Sequence, residues 1–146
     1  RTSLYRLAFS ITRNSSDAQE AVAEAVCRAY ERYPQLREKE KLPRWLLKIT
    51  ANEARRLCQR RGRTVSLDDL PTEPAIPGRE TGDDTLWQAV QTLPRDQREA
   101  VVLFYYEDLP TEEIARIVGT SPGAVRVRLS RAREKLRSIL KEGDYG

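Results

Sequence analysis

Residues 109–140, LPTEEIARIVGTSPGAVRVRLSRAREKLRSIL, read as two helices joined by the short turn Gly119–Ser121, and the second helix is loaded with arginine. Thr111 is placed to cap the first helix, whose opening turn carries Glu112 and Glu113 where the positive end of the helix dipole favours acid. Gly119 can end it, because glycine tolerates positive φ. Ser121 and Pro122 then restart the chain as N-cap and first helical residue. At about 100° per residue, Val125, Leu129, Ala132, Leu136 and the pair Ile139/Leu140 fall on one inward face. Arg126, Val127, Ser130, Arg131 and Arg137 are left facing out. A planar guanidinium can donate two bonds to a guanine edge in a major groove, so this face points to DNA. A solvated amphipathic helix is the plainer alternative, and the two-helix grammar with its short turn argues against it.

Composition narrows the rest. The 146 residues are 33% charged with a formal net charge of +4, which suits one modest domain or two small helical ones. There is no histidine, and the two cysteines, Cys27 and Cys58, lie far apart in helical segments. A zinc site of four Cys/His ligands therefore cannot be assembled within the chain, and Ser-His or Cys-His catalysis is excluded. With no glycine-rich phosphate loop either, the expectation is a non-enzyme without metal or cofactor. No apolar run reaches the roughly 20 residues a bilayer span needs, and the start lacks a signal-peptide apolar core. These features predict a reduced, cytoplasmic protein that is not inserted in a membrane. The chain begins at Arg1 without any methionine, so it reads as trimmed ahead of Arg1.

Charge divides the chain into parts. Residues 1–64 hold 15 Lys/Arg against 7 Asp/Glu, a net of +8, and residues 111–142 hold 8 against 4, a net of +4. Between them, residues 65–87 hold one Arg against six acids and carry Pro71, Pro74, Pro77, Gly78 and Gly82. The pattern predicts an all-α protein of two small helical domains, 1–64 and 85–142, joined by a flexible acidic linker at 65–84. Two basic modules on one tether suit bipartite contact with nucleic acid, since linkage raises the effective concentration of the second module.

In the first module, Leu4, Leu7, Ala8 and Ile11 repeat at helical spacing until Asn14 and Ser15 break the pattern. Ser16 with Gln19 then makes a candidate capping box. The second helix has an expected inward stripe of Ala18, Val22, Ala25, Val26, Ala29 and Tyr33. Asp17, Glu20, Glu24, Arg28 and Glu31 share the other side, a mostly acidic face that suits a basic protein partner better than DNA. Pro34 ends this helix, and Leu42-Pro43 opens a third. There Arg44, Lys48, Asn52, Arg55 and Gln59 recur at spacings of four, four, three and four, forming one polar ribbon with Trp45 beside it. Cations for phosphates, an aromatic face for an unstacked base and amides for a base edge are what melted DNA requires. A salt-rich exposed helix with Trp45 in the core is the alternative. The run Arg55, Arg56, Arg60, Arg61 and Arg63 favours phosphate binding.

The order of these parts resembles a bacterial sigma factor of the extracytoplasmic-function subgroup of the sigma-70 family, from Leu4 to Leu140. LYRLAFSITRNSSDAQEAV is similar to the family's opening helices, LPRWLLKITANEARRLCQRR to its promoter-melting and minus-ten segment, and LPRDQREAVVLFYYEDLPTEEIARIVGTSPGAVRVRLSRAREKLR to its minus-thirty-five module. Ala21 and Ala23 depart from the pattern, standing where the family more often has a larger apolar residue and a glutamine, and Val26 replaces a usual aromatic.

The resemblance implies a subunit that binds core RNA polymerase and directs it to a promoter class. It places Asp17, Glu20 and Glu24 on the polymerase-docking helix. Asn52, with Arg44, Trp45, Lys48, Arg55 and Gln59, falls at the single-stranded minus-ten element, and residues 36–42 fall on a loop that traps a flipped base. Arg126, Val127, Ser130 and Arg131, with Ser121 at the helix start, face the duplex minus-thirty-five groove. Arg56, Arg60, Arg61, Arg128 and Arg133 are left for phosphates. An anti-sigma factor is a further implied partner. The competing readings are a stand-alone helix-turn-helix regulator and a sigma-like protein-interaction module.

Overall fold

The computed structural model describes residues 2–61 and 84–145, and the chain divides into two compact units. Every regular element among the described residues is helical. The first unit contains α1 (Thr2–Thr12), α2 (Ser15–Arg32) and α3 (Leu42–Arg61), with single 3₁₀ turns at Tyr33–Gln35 and Lys39–Lys41 between the last two. The second contains α4 (Asp84–Gln91), α5 (Arg95–Val101), a π-helical turn at Val102–Tyr106, α6 (Thr111–Val118) and α7 (Pro122–Tyr145). The acidic linker expected at 65–84 lies outside the described residues, apart from Asp84, which opens α4.

Three helices pack mutually in the first unit. α1 ends at Arg13, which adopts a left-handed φ of 52° and donates its N–H to Phe9 O at 2.8 Å. The chain then turns at Asn14, whose Oδ1 accepts from Asp17 N at 2.9 Å and caps α2. The cap is therefore Asn14, two residues earlier than the Ser16/Gln19 box expected, because Thr12 and Asn14 tie the turn together through the Thr12 hydroxyl. The buried stripe of α2 is Ala18, Ala21, Ala25 and Ala29. Val22 and Val26 are only half-buried and Tyr33 is 41% exposed, so three residues of the expected inward stripe sit at or beyond its edge. Small side chains bring the axes close, and Leu7, Phe9, Ile11, Leu47 and Leu57 fill the space between.

The second unit wraps α4, α5 and α6 against α7. Trp87, Val90 and Leu93 of the first corner, Val101 to Leu103, and Ile114 and Ile117 of α6 bury against Val125, Leu129, Ala132 and Leu136. Arg98, 3% exposed, donates Nη1–H to Leu93 O at 2.7 Å and so ties the α4–α5 corner. The π turn widens the backbone by one residue, with Glu107 N donating to Val102 O, and it leaves Asp108 at φ 57°. Trp87 meets Tyr106 edge to face at 5.5 Å. Ile139, expected inward with Leu140, is 36% exposed, since α7 has run past the helices that could cover it.

The corner between α6 and α7 carries a strict backbone demand. Gly119 sits at φ 78° and donates to Ala115 O at 2.8 Å, closing α6 in a left-handed cap. A Cβ built there meets nothing within 4 Å, so the demand is purely conformational. Gly119→Ala is expected to cost about 1–2 kcal/mol, the left-handed penalty of an L-residue. Urea unfolding followed at the Trp87 indole NMR signal measures it, and an unchanged midpoint would contradict the assignment.

Candidate nucleic-acid interface

The helix-turn-helix is assembled from the α6–α7 corner outward. α6 begins with Pro110 at its cap position and no side-chain cap, so Thr111 is the first helical residue and its hydroxyl reaches only Glu112 Oε1 at 3.5 Å. Glu112 and Glu113 still lie in the first turn, against the positive end of the dipole. At α7 the cap is as the sequence indicates. Ser121 Oγ accepts from Ala124 N at 3.1 Å while Ser121 O accepts from Val125 N.

Burial of Val125, Leu129, Ala132 and Leu136 sets the rotation of α7 and leaves Arg126, Val127, Ser130 and Arg131 exposed on one side. Val127, 47% exposed among arginines, offers a methyl surface of the kind that contacts thymine in a major groove. Arg137 is exposed further along. The two arginines of α7 expected at phosphates are engaged within the unit. Arg128 Nε lies 3.8 Å from Asp96 Oδ2. Arg133 donates Nε–H to Tyr105 Oη at 2.6 Å, with its guanidinium 5.7 Å from the centroids of Phe104 and Tyr105. Sequence reading missed Tyr105, because only the π turn brings it beside α7.

In the first unit, α3 is buried on two sides and wet on a third. Arg44, Lys48, Asn52 and Gln59 are exposed and Arg55 is half-buried, so the five residues of the ribbon share the solvent side. Trp45 is half-buried and packs on Ala25, Ala29 and Ile49. It is a rim residue between core and ribbon, with only part of its ring open to a ligand. The charged loop before α3 is folded on itself. Lys39 Nζ donates to Tyr33 O at 2.7 Å and sits 3.9 Å above the Tyr33 ring, and Lys41 pairs with Glu38 at 2.9 Å.

The acidic face of α2 differs from the sequence expectation. Asp17 is 1% exposed and its Oδ1 pairs with Arg61 Nη1, so it belongs to the interior and not to the outward side. Glu20 accepts from Arg61 Nη2 at 2.9 Å and lies 3.8 Å from Arg60. The Glu20 hydrogen bond and the Asp17 charge together raise the pKa of Arg61. Glu24 remains half-exposed, 3.9 Å from Arg28. The physical reason is helix polarity. The N-terminal turn of α2 attracts acid and the C-terminal turn of α3 attracts base, and packing brings those two ends together. Arg60 and Arg61, expected at phosphates, are therefore shared with α2, and Arg56 lies 3.5 Å from Glu53.

Glu53 is the member of this α2–α3 seam that sequence reasoning did not assign, and Arg28, expected on the outward face, lies 2.6 Å from it. A signal was present. Glu53 is four residues from both Ile49 and Leu57, an acid on an apolar stripe.

Among the described residues no group of His, Cys, Asp and Glu is placed to hold a metal ion, and no helix is long and apolar enough to cross a membrane.

Comparison with known proteins matches the two units to two family profiles: Sigma-70 region 2 over residues 1–64 and Sigma-70, region 4 over residues 83–136. RNA polymerase sigma factor SigV of Bacillus subtilis is 32% identical over 142 residues, covering 96% of this chain and 86% of its own length. ECF RNA polymerase sigma factor SigE of Mycolicibacterium smegmatis is 31% identical over 148 residues, and the match spans 94% of this chain but 57% of SigE. Among solved structures, the sigma factor RpoE in complex with the anti-sigma factor NepR from Bartonella quintana superposes with a TM-score of 0.77 at 27% identity. That match covers 94% of this chain and 89% of RpoE.

Two stability predictions follow from the seam and the corner. Ser121→Ala should cost about 1 kcal/mol by removing the α7 cap, read in urea unfolding at the Trp87 signal. Asp17→Ala should lower the thermal midpoint of the first unit, read at Trp45, by more than Glu24→Ala does. Equal effects would show that Asp17 is not the interior charge described.

Proposed function

Given that the chain belongs to the sigma-70 family, in its extracytoplasmic-function subgroup, we propose that it is an alternative sigma factor that directs core RNA polymerase to a promoter class. The observation that carries the reading is the presence in one chain of two different exposed faces whose chemistry suits DNA. One is a recognition helix with Arg126, Val127, Ser130 and Arg131 exposed, and the other a solvent-facing ribbon centred on Asn52. A duplex-only regulator has use for the first alone.

On this reading α7 enters the minus-thirty-five major groove. Arg126 and Arg131 donate to base edges, Val127 contacts a methyl group, and Ser121 and Ser130 lie at the flanks. α3 meets the melted minus-ten strand. Arg44, Lys48 and Arg55 attract phosphates, Asn52 and Gln59 offer amides to base edges, and the open part of Trp45 borders an unstacked base. Arg56, Arg60, Arg61 and Arg128 add to the phosphate field from partly paired positions, while Arg133 contributes less because Tyr105 holds it.

Polymerase docking uses α2, with Glu20 and Glu24 as its accessible acids and Asp17 supporting the helix from within. The domains are taken as 1–64 and 85–142 on an acidic linker at 65–84. The chain works in the cytoplasm and performs no chemistry, which belongs to the polymerase. The likeness to RpoE, solved with NepR, supports control by an anti-sigma factor.

Run-off transcription with bacterial core polymerase on a pool of promoter fragments tests the reading. Initiation that depends on this chain, at a shared two-part motif and weakened by Asn52→Ala, is the expected result. Duplex binding without initiation would support the stand-alone regulator instead. Arg126→Ala and Arg131→Ala should each cost about 1–3 kcal/mol of promoter binding and relax base preference at one position of the minus-thirty-five element. Binding that survives both substitutions would remove α7 from the groove.

A further inference from the structure

We propose that the Arg28–Glu53 pair is a positioning device for the melted-strand face: by fixing the rotation of α3 on α2, it sets where Lys48 and Asn52 point. The proposal rests on the sigma-factor reading and concerns residues that make no contact with DNA in it.

The α2 side of the seam is smooth. Ala21, Ala25 and Ala29 are all buried, and such short side chains permit close approach while leaving few ridges to lock one helix against rolling on the other. Into this seam α3 places a carboxylate. Glu53 is 5% exposed, one helical turn beyond Ile49, which packs against Ala25 and Ala29. Its Oε2 lies 2.6 Å from Arg28 Nε and 3.5 Å from Arg56 Nη1. The Arg28 N–H is not aimed at the oxygen, so the tie to Arg28 is a charge contact and not a well-directed hydrogen bond.

The pair is buried at its carboxylate and one-third exposed at Arg28, and such a pair is a poor choice if stability alone matters. Replacement of such pairs by apolar residues of similar volume is often neutral or stabilising, whereas loss of one partner is strongly destabilising. What the pair does supply is a unique angle. Rolling α3 away from its present setting would separate the Glu53 carboxylate from the Arg28 guanidinium that neutralises it. The apolar contact of Ile49, Leu46 and Trp45 with Ala25 and Ala29 is non-directional and sets the angle less sharply.

Asn52 is the residue next to Glu53, about 100° around the helix and on the wet side. With side-chain tips about 5–6 Å from the axis, a roll of about 20° would move the Asn52 amide by about 2 Å. That displacement exceeds what a directed hydrogen bond to a base edge tolerates. Glu53 and Arg28 are thus positioning residues, acting through Lys48 and Asn52.

The test replaces the pair by apolar side chains of similar length, Arg28→Met with Glu53→Met, in the full chain. Three readouts are taken: the thermal midpoint, the indole NMR signals of Trp45 and Trp87, and promoter opening by the holoenzyme with core polymerase. Trp45 lies in the same seam, and Trp87 belongs to the other unit. The expected result is a thermal midpoint at or above that of the parent, with a shifted Trp45 signal and an unshifted Trp87 signal. Opening should fall about ten- to hundredfold, the scale on which misplacement by an ångström or so acts. A Trp45 signal that stays in place, or opening equal to the parent, overturns the proposal. Should the double variant fail to fold, Glu53→Gln, which keeps the shape and removes the charge, is judged by the same signals. A parent chain that starts no transcription with core polymerase overturns the functional reading underneath. A still Trp45 signal beside an active parent overturns the positioning role alone.

Discussion

Two buried carboxylates, Asp17 on α2 and Glu53 on α3, set the terms on which the first unit packs. Each must be met by a guanidinium from the facing helix. Arg61 meets Asp17 at one end of the seam and Arg28 meets Glu53 nearer the middle. Beside them Ala25 and Ala29 of α2 meet Ile49, Leu46 and Trp45 of α3, an apolar contact without directed bonds. With both charged contacts in place, the remaining side of α3 is committed to solvent, and that side carries the polar ribbon. The arrangement explains why a domain of strongly basic composition keeps acids inside it.

The second unit reaches a comparable result by different means. A left-handed glycine ends α6, a serine cap starts α7, and four apolar residues of α7 key it into the core. The arginine face then follows from helical period alone. The π turn at Val102–Tyr106 adds something that period cannot. By widening the backbone ahead of α6 it carries Tyr105 to α7, where it holds Arg133 through a hydrogen bond. One arginine of the basic helix is thereby taken from the pool available to a ligand.

Much of the helix-turn-helix was legible beforehand because its signals are local. Gly119 as a left-handed cap, Ser121 as an N-cap and the Val125–Leu136 stripe depend on neighbours within one turn of each residue. The caps of α2 and α6 were less legible. Asn14 and Ser16 are both good capping residues, and the choice between them fell to the Thr12–Asn14 turn. At α6 the chain enters through Pro110, so Thr111 is already helical. Tyr33 and Ile139 matched an inward period but lie where no other helix covers them.

What the sequence determined by itself was the helical class, the division of charge, the place of the arginine-rich recognition helix and the existence of a polar ribbon on α3. These follow from periodicity and from residue chemistry counted along the chain. Only the tertiary structure decided which charges are free to act. Asp17, Arg61, Arg28 and Arg133 read as surface residues and Glu53 was unassigned, and each is drawn into a pair by a residue from another element. The reason is physical. A helix's own period says which residues share a face, but burial and ion pairing depend on what is packed against that face. A charged side chain is long enough to take its partner from an element far away in sequence.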